Sequence, residues 1–377
     1  MNHVYLDHAS TTKLDARVLD KMMPYLVDDY GNANSTHFFG RQAVKGLDEA
    51  REIVASLLGA KFNEIYFTSG GTECDNWALN GAIKGGSVKR IVVSTIEHSA
   101  MLATVKSLEN SGVEVVYVKP DKNGFVSASD YANFLDKNTL CSLMLANNEI
   151  GTIQPVKELA SIARQKGALT YTDAVQAMPS LNVNVNDLGV DMLGFSAHKF
   201  NGPKGVGCAF IKNGTKIAPY ISGGHQERSL RGGTSNVAGA VGLAYALKYT
   251  RESLEDDAKY VTNLRNAFIQ KVLAEIPNAR LNGSKENRLA NNANIMIDGI
   301  SGDSLLYQLD LNGVSASLGA ACSAGSIEPS HVLKEIGLSD KQAFSSIRFT
   351  FGKENTMQEV DFAVSVLKDC VNKLLNK

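Results

Sequence analysis

Between residues 64 and 196 the chain alternates between short apolar runs and stretches of helical periodicity. Glu64–Thr68, Arg90–Ser94, Glu114–Val118, Leu140–Leu145, Ala168–Tyr171 and Met192–Phe195 have the length of buried strands, and helices are expected at about 73–84, 100–110 and 156–166. Strands that take turns with helices are joined by crossovers, so the expected fold is α/β, a largely parallel sheet with helices on both faces. Ligands in such sheets bind beyond the carboxyl ends of the strands. His98, Asn148, Asp173, Gln176, Ser196, His198 and Lys199 all fall just after expected strand ends. Loop polarity accounts for any one of them and accounts less well for seven on one rim.

The most telling of these ends is Phe195-Ser196-Ala197-His198-Lys199, which Gly202-Pro203 turns back into the apolar run Gly205–Ile211. Desolvation favours the neutral form of a lysine amine, and a neutral amine forms an imine with an aldehyde. The plainer alternative is a lysine that snorkels out of a strand end. Earlier, Ser69-Gly70-Gly71-Thr72 lies between a strand and a helix. Glycines there let backbone N–H groups approach an anion at the positive helix end, and Thr72 adds a hydroxyl. This phosphate cup lacks both the lysine of a Walker loop and the spacing of a dinucleotide fingerprint.

Length and charge narrow the possibilities. At 377 residues the chain exceeds the roughly 250–300 at which a single core stops growing. A boundary is expected near Tyr249, within a long helical stretch (Val237 to Ile276, broken at most once) that turns from apolar to charged. Residues 13–249 then form the large domain, and 1–12 with 250–377 a smaller α+β domain. A net charge of -1 argues against a nucleic-acid or membrane-surface binder, and no run of about 18 apolar residues predicts a membrane span. The first residues show no basic segment followed by an apolar one, so no signal peptide is expected. Five scattered cysteines without a Cys-x-x-Cys pair predict a reducing cytoplasm and neither zinc nor dithiol chemistry. Four sit in apolar or helical contexts; Cys322 instead lies among small residues from Ser315 to Ser326.

Tyr5–Thr12, Gly31–His37, Phe67–Asn76, Asn147–Pro155, Asp173–Gln176, Ser196–Gly207, Gln226–Thr234, Ala316–Ser323 and Ser345–Gly352 together resemble the cysteine desulfurases, fold-type I pyridoxal phosphate enzymes of the class-V aminotransferase group. The resemblance runs from end to end and is closer to NifS- and IscS-like members than to SufS-like ones. It implies that Lys199 carries pyridoxal phosphate covalently, Asp173 pairs with its ring nitrogen, and Gln176 binds its phenolic oxygen. His98 stacks on the ring and serves as acid or base, while Asn148 contacts cofactor and substrate. Gly71, Thr72, Ser196 and His198 hold the phosphate, and Thr234 completes that cup in a second copy, which implies a homodimer. Arg348 clamps the carboxylate of L-cysteine through a two-pronged bond, and Cys322 takes the sulfur as a persulfide, leaving L-alanine.

The implied activity is a sulfurtransferase that hands sulfur to an acceptor protein, either an iron–sulfur scaffold or a tRNA thiolase. Gly71, Cys74, Ser99 and His225 depart from common relatives without removing a group the chemistry needs. The chain ends soon after its last helix, where longer relatives dock the scaffold. Two alternatives stay open: another enzyme of this fold, acting as a selenocysteine lyase or an aminotransferase, and a sulfur-relay protein without catalysis.

Overall fold

The computed structural model describes residues 3–318 and 328–375. Its strands, in chain order, are β1 (Val4–Tyr5), β2 (Ile65–Thr68), β3 (Arg90–Ser94), β4 (Glu114–Val118), β5 (Thr139–Ser142), β6 (Leu169–Asp173), β7 (Met192–Ser196), β8 (Gly207–Ile211), β9 (Ala279–Asn282), β10 (Asn292–Ile297), β11 (Val314–Ser315), β12 (Ser317–Leu318) and β13 (Ser346–Thr350). Seven of them form one sheet in the order β2-β8-β7-β6-β5-β3-β4. The five strands from β7 to β4 are parallel; β8 runs antiparallel to them, and the edge strand β2, antiparallel to β8, again points their way. Strands β5 and β7 are buried throughout, which is why Leu140-Cys141 and Met192–Phe195 read as buried-strand segments.

Local chemistry sets the helix boundaries. The helix α1 (Ala16–Val27) begins where the Asp15 side chain accepts from the Arg17 N–H. The helix α2 (Phe38–Leu58) ends at Gly59, whose φ of 70° suits a residue without a Cβ. The helix α3 (Gly71–Lys84) starts at Gly70 with no side-chain cap, leaving its first N–H groups open. The helix α4 (Ser99–Asn110) is capped by the imidazole of His98. The helical stretch expected from Val237 to Ile276 is two helices, Val237–Glu252 and Leu254–Glu275, broken once at Ser253. The first buries most of its length; the second opens with Glu255, Asp256 and Asp257.

The strand expected over Leu140–Leu145 is shorter, because the Met144 N–H turns to the buried carboxylate of Glu97 at 2.8 Å. Leu145 still donates to the Asp173 carbonyl at 2.8 Å, so the chain stays beside β6 on its way to Asn148.

A second sheet, antiparallel in the order β12-β13-β10-β9, carries the C-terminal part of the chain, and β1 pairs in parallel with β11. Val4, Leu6, Phe268, Ile295, Phe349 and Leu367 share one apolar core here. Each such side chain, once fully buried, contributes about 1.5–3 kcal/mol. Residues 332–343 follow a different course: Val332, Leu333, Ile336 and Ala343 pack into the core of the large sheet with Val92, Leu143 and Phe195.

Candidate active site

A cavity of about 710 Å³ opens beyond the carboxyl ends of β2, β6 and β7. Gly71, Thr72, His98, Asn148, Asp173, Gln176, Ser196, His198, Lys199 and Arg348 all line it, so ten residues singled out from the sequence meet in one space. Thr234 does not line it and stands exposed. Cys322 lies outside the described residues.

Lys199 sits in a single turn that follows β7. Its amine donates to the carbonyls of Ala9 at 2.6 Å and Ser10 at 2.9 Å. Gln176 donates to the same Ala9 carbonyl at 3.0 Å. One oxygen of the N-terminal segment therefore orients two site residues that come from different loops. His198 meets Thr11 Oγ1 at 3.1 Å. Burial, and then the nearby charges of Lys199 and Lys204, pull His198 down from 6.5 to about 4, so its ring is neutral at physiological pH.

The phosphate end is backbone-built. The uncapped start of α3 opens into the cavity at Gly71, with Ser196 and His198 close by in the lining. A Cβ added at Gly71 would come within 2.7 Å of Val175 Cγ2, so the cradle has no room for a larger residue unless Val175 gives way.

The floor is acidic. Asp173, at the end of β6, accepts from the Val175 N–H at 2.8 Å. Burial raises its pKa, and the charges of His98 and Lys199 pull against that rise. Tyr171 lies two residues earlier on the same face of the strand, and its hydroxyl donates to Asp75 Oδ1 at 2.6 Å. Asp75 is 1 % exposed, and burial followed by the charge of Asp173 pushes its carboxyl well up. Gly194, paired with Asp173 across the ladder, makes this reach possible. A Cβ there would lie 2.5 Å from both the Tyr171 hydroxyl and the Cys74 Cβ. Glu97, fully buried behind the loop, is pushed up to about 8 mainly by burial.

The opposite wall comes from distant segments. Arg348, in β13 and 2 % exposed, donates to the Asn148 carbonyl at 2.9 Å, to Asp7 Oδ1 at 3.0 Å and to Ser10 Oγ at 2.8 Å. Glu328, Pro329, Ser330 and His331 close the rim. Ser330 Oγ donates to Glu149 Oε2 at 2.5 Å, and His331 Nε2 lies 3.0 Å from the Glu97 carbonyl.

Sequence reasoning missed Asp7, Ser10, Asp75, Tyr171, Glu97, Glu149 and His331. A signal existed for Tyr171, which is two residues before Asp173 and so must share its face of the strand. Asp7 and Ser10 lie in a segment that carried the resemblance, Tyr5–Thr12, in which no residue was given a role.

Geometry and donor chemistry suit a phosphorylated pyridine aldehyde: an open helix start at one end, a buried carboxylate for a ring nitrogen, and an amine over the floor. Comparison with known proteins gives the family. The aminotransferase class-V family model matches residues 4–362. The cysteine desulfurase IscS of Dictyoglomus turgidum is 45% identical over 374 residues, which are 98% of this chain and 95% of that one. A solved structure described as a NifS-like protein superposes with a TM-score of 0.93 at 37% identity, covering 99% of this chain and 100% of that chain. Another, SspA in complex with cysteine, gives 0.81 at 32% identity, covering 93% and 99%.

Proposed function

The chain belongs to the class-V aminotransferase family, and on that premise we propose that its cavity binds pyridoxal phosphate and desulfurates L-cysteine to L-alanine. It is a cysteine desulfurase of the IscS and NifS kind. The observation that carries the reading is the meeting of Lys199, Asp173, the open start of α3 and Arg348 in one cavity. Bound there, pyridoxal phosphate supplies an electron sink for the carbon skeleton of the amino acid.

The chain's own groups do the rest. The N–H groups at Gly71 and Thr72, with Ser196 and His198, hold the phosphate. The Asp173 carboxylate holds a proton on the ring nitrogen, and Gln176 and Asn148 fix the ring's orientation. Lys199 would hold the cofactor and, once released from it, would move the substrate's α-proton at Nζ. His98 flanks the ring, and Arg348 receives the substrate carboxylate in an orientation that Asp7 and Ser10 fix. Cys322 accepts the sulfur and passes it to an acceptor protein for iron–sulfur assembly or tRNA thiolation.

Thr234, exposed and outside the lining, serves the phosphate site of a second copy in a homodimer. Residues 13–249 make the cofactor domain, and 1–12 with 250–377 the smaller one. The shared core of Val4, Leu6 and the residues from 261 to 371 supports that division, and the packing of 332–343 on the large core qualifies it. Among the described residues no helix is long and apolar enough to cross a membrane, and Cys74, Cys141, Cys208 and Cys370 are unpaired, which supports a cytoplasmic location.

The test is the visible spectrum of purified protein before and after L-cysteine and a reductant, with sulfide and alanine quantified. A yellow protein releasing both in equal amounts is expected. A colourless protein that pyridoxal phosphate cannot reconstitute would sink the reading. A yellow protein that needs a keto acid to make alanine would instead favour aminotransfer.

A further inference from the structure

Three imidazoles line the cavity, and backbone groups fix two of them, His98 and His331, in opposite roles. His98 Nδ1 lies 3.2 Å from the Ala100 N–H, which caps α4. A backbone N–H only donates, so Nδ1 is the bare nitrogen and the neutral ring carries its proton on Nε2. To take up another proton, His98 must give up its cap. His331 is the reverse. Its Nε2 lies 3.0 Å from the Glu97 carbonyl, an oxygen that only accepts. Nε2 therefore carries the proton, and Nδ1 keeps its lone pair for another group.

His331 is also firmly placed. It opens the short helix His331–Glu335, where Ser330 Oγ accepts from the Leu333 N–H at 3.2 Å and donates to Glu149 Oε2. One turn on, Glu335 accepts from Thr95 Oγ1 at 3.0 Å, while Val332 and Leu333 are fully buried. A base held in this way is preorganised.

We propose that His331 is a second proton-handling residue of the site, whose Nδ1 takes the proton of the thiol that must ionise before sulfur moves. This rests on the desulfurase reading above. An ordinary thiol has a pKa of about 8.5 and is only a few per cent thiolate at pH 7. In the step, the S–H bond breaks and its electron pair stays on sulfur. An N–H bond forms at Nδ1, and the imidazolium releases the proton to water at the cavity mouth. The charged and titratable groups on the segments that meet His331 are Glu97 and His98 before and at the start of α4, Glu149 after β5, Glu328 on the same segment, Lys334 and Glu335 on its own helix, and Lys119, which pairs with Glu335; Glu73, Asp75, Asp173, His198, Lys199, Lys204 and Arg348 line the rest of the cavity.

The experiment uses the pyridoxal phosphate-loaded enzyme with L-cysteine. His331→Gln keeps an amide that can donate to Glu97, and His331→Gly leaves room for added imidazole. His331→Gln is expected to keep the cofactor's visible spectrum, lower kcat about 100-fold with KM little changed, and lose the acid limb of kcat against pH. Added imidazole is expected to restore at least part of the activity of His331→Gly. An unchanged kcat and pH profile in His331→Gln would overturn the proposal. So would a lowered kcat that keeps its acid limb and resists imidazole, since His331 would then only brace the wall. A wild-type protein that binds no pyridoxal phosphate overturns the desulfurase reading and this proposal together. A yellow, active wild type beside an unaffected His331→Gln overturns this proposal alone.

Discussion

The two walls of the cavity are built on different plans. One wall is a row of strand ends: Gly71 and Thr72 after β2, Asp173 and Gln176 after β6, and Ser196, His198 and Lys199 after β7. Each group there leaves the chain at or just after a strand end, and Lys199, Gln176 and His198 take further partners from residues 9–11. The facing wall gathers Asp7 and Ser10, Asn148, Ser330, His331 and Arg348, which meet only because the whole chain has folded. The first wall suits tight, repeatable binding of one cofactor. The second, held by side-chain bonds between remote segments, suits recognition of a substrate that must come and go.

The largest expected effect is on the first wall. Lys199→Ala is expected to lower alanine formation at least about 1,000-fold and to remove the visible absorption of the bound cofactor, as read by spectrophotometry. Survival of that absorption would break the distinction at its strongest point. On the second wall, Arg348→Lys retains charge but cannot reach the Asn148 carbonyl, Asp7 and Ser10 at once. Steady-state kinetics is expected to show kcat/KM for L-cysteine reduced about 10–100-fold, chiefly through KM, with the cofactor spectrum intact.

A smaller effect separates floor from walls. Gly194→Ala drives a methyl to 2.5 Å from the Tyr171 hydroxyl and the Cys74 Cβ. Denaturant unfolding is expected to show a loss of about 1–3 kcal/mol. The smallest is a pH effect at the phosphate end. The folded pKa of His198 lies near 4, below its ordinary 6.5, so the unfolded chain takes up a proton first on acidification. Stability from this group is complete above pH 6.5 and is lost between 6.5 and about 4. His198→Gln is expected to flatten that part of the Tm profile of cofactor-free protein, measured by calorimetry.

Legibility in the sequence followed the same divide. The parallel sheet could be read because β5, β6 and β7 are short, buried on both faces and alternate with helices. Lys199, Asp173 and the start of α3 could be read because strand end, turn and chemistry are adjacent in the chain. Arg348 was found only through resemblance, since its strand, Ser346–Thr350, looks like any other buried strand. His331 and Asp7 were missed because what makes them functional is a bond to residues 234 and 341 positions away. The fate of Leu143–Leu145 was missed for a related reason, since Glu97 takes the Met144 N–H from 47 residues off. Periodicity carries local information, and contacts of this range leave no trace in it.

The N-terminal segment has a consequence for how the protein is made. Val4 pairs with Val314, Asp7 with Arg348, and the Leu6 carbonyl with the Thr350 N–H. A ribosome adding about 5–20 residues per second needs tens of seconds between the first member of each pair and the second. Throughout that interval Ala9 and Ser10, whose carbonyls aim Lys199, belong to a segment whose strand partners have not yet been synthesised. Lys199 and the segment that aims it are thus held in place together only once residues 314–350 have been made.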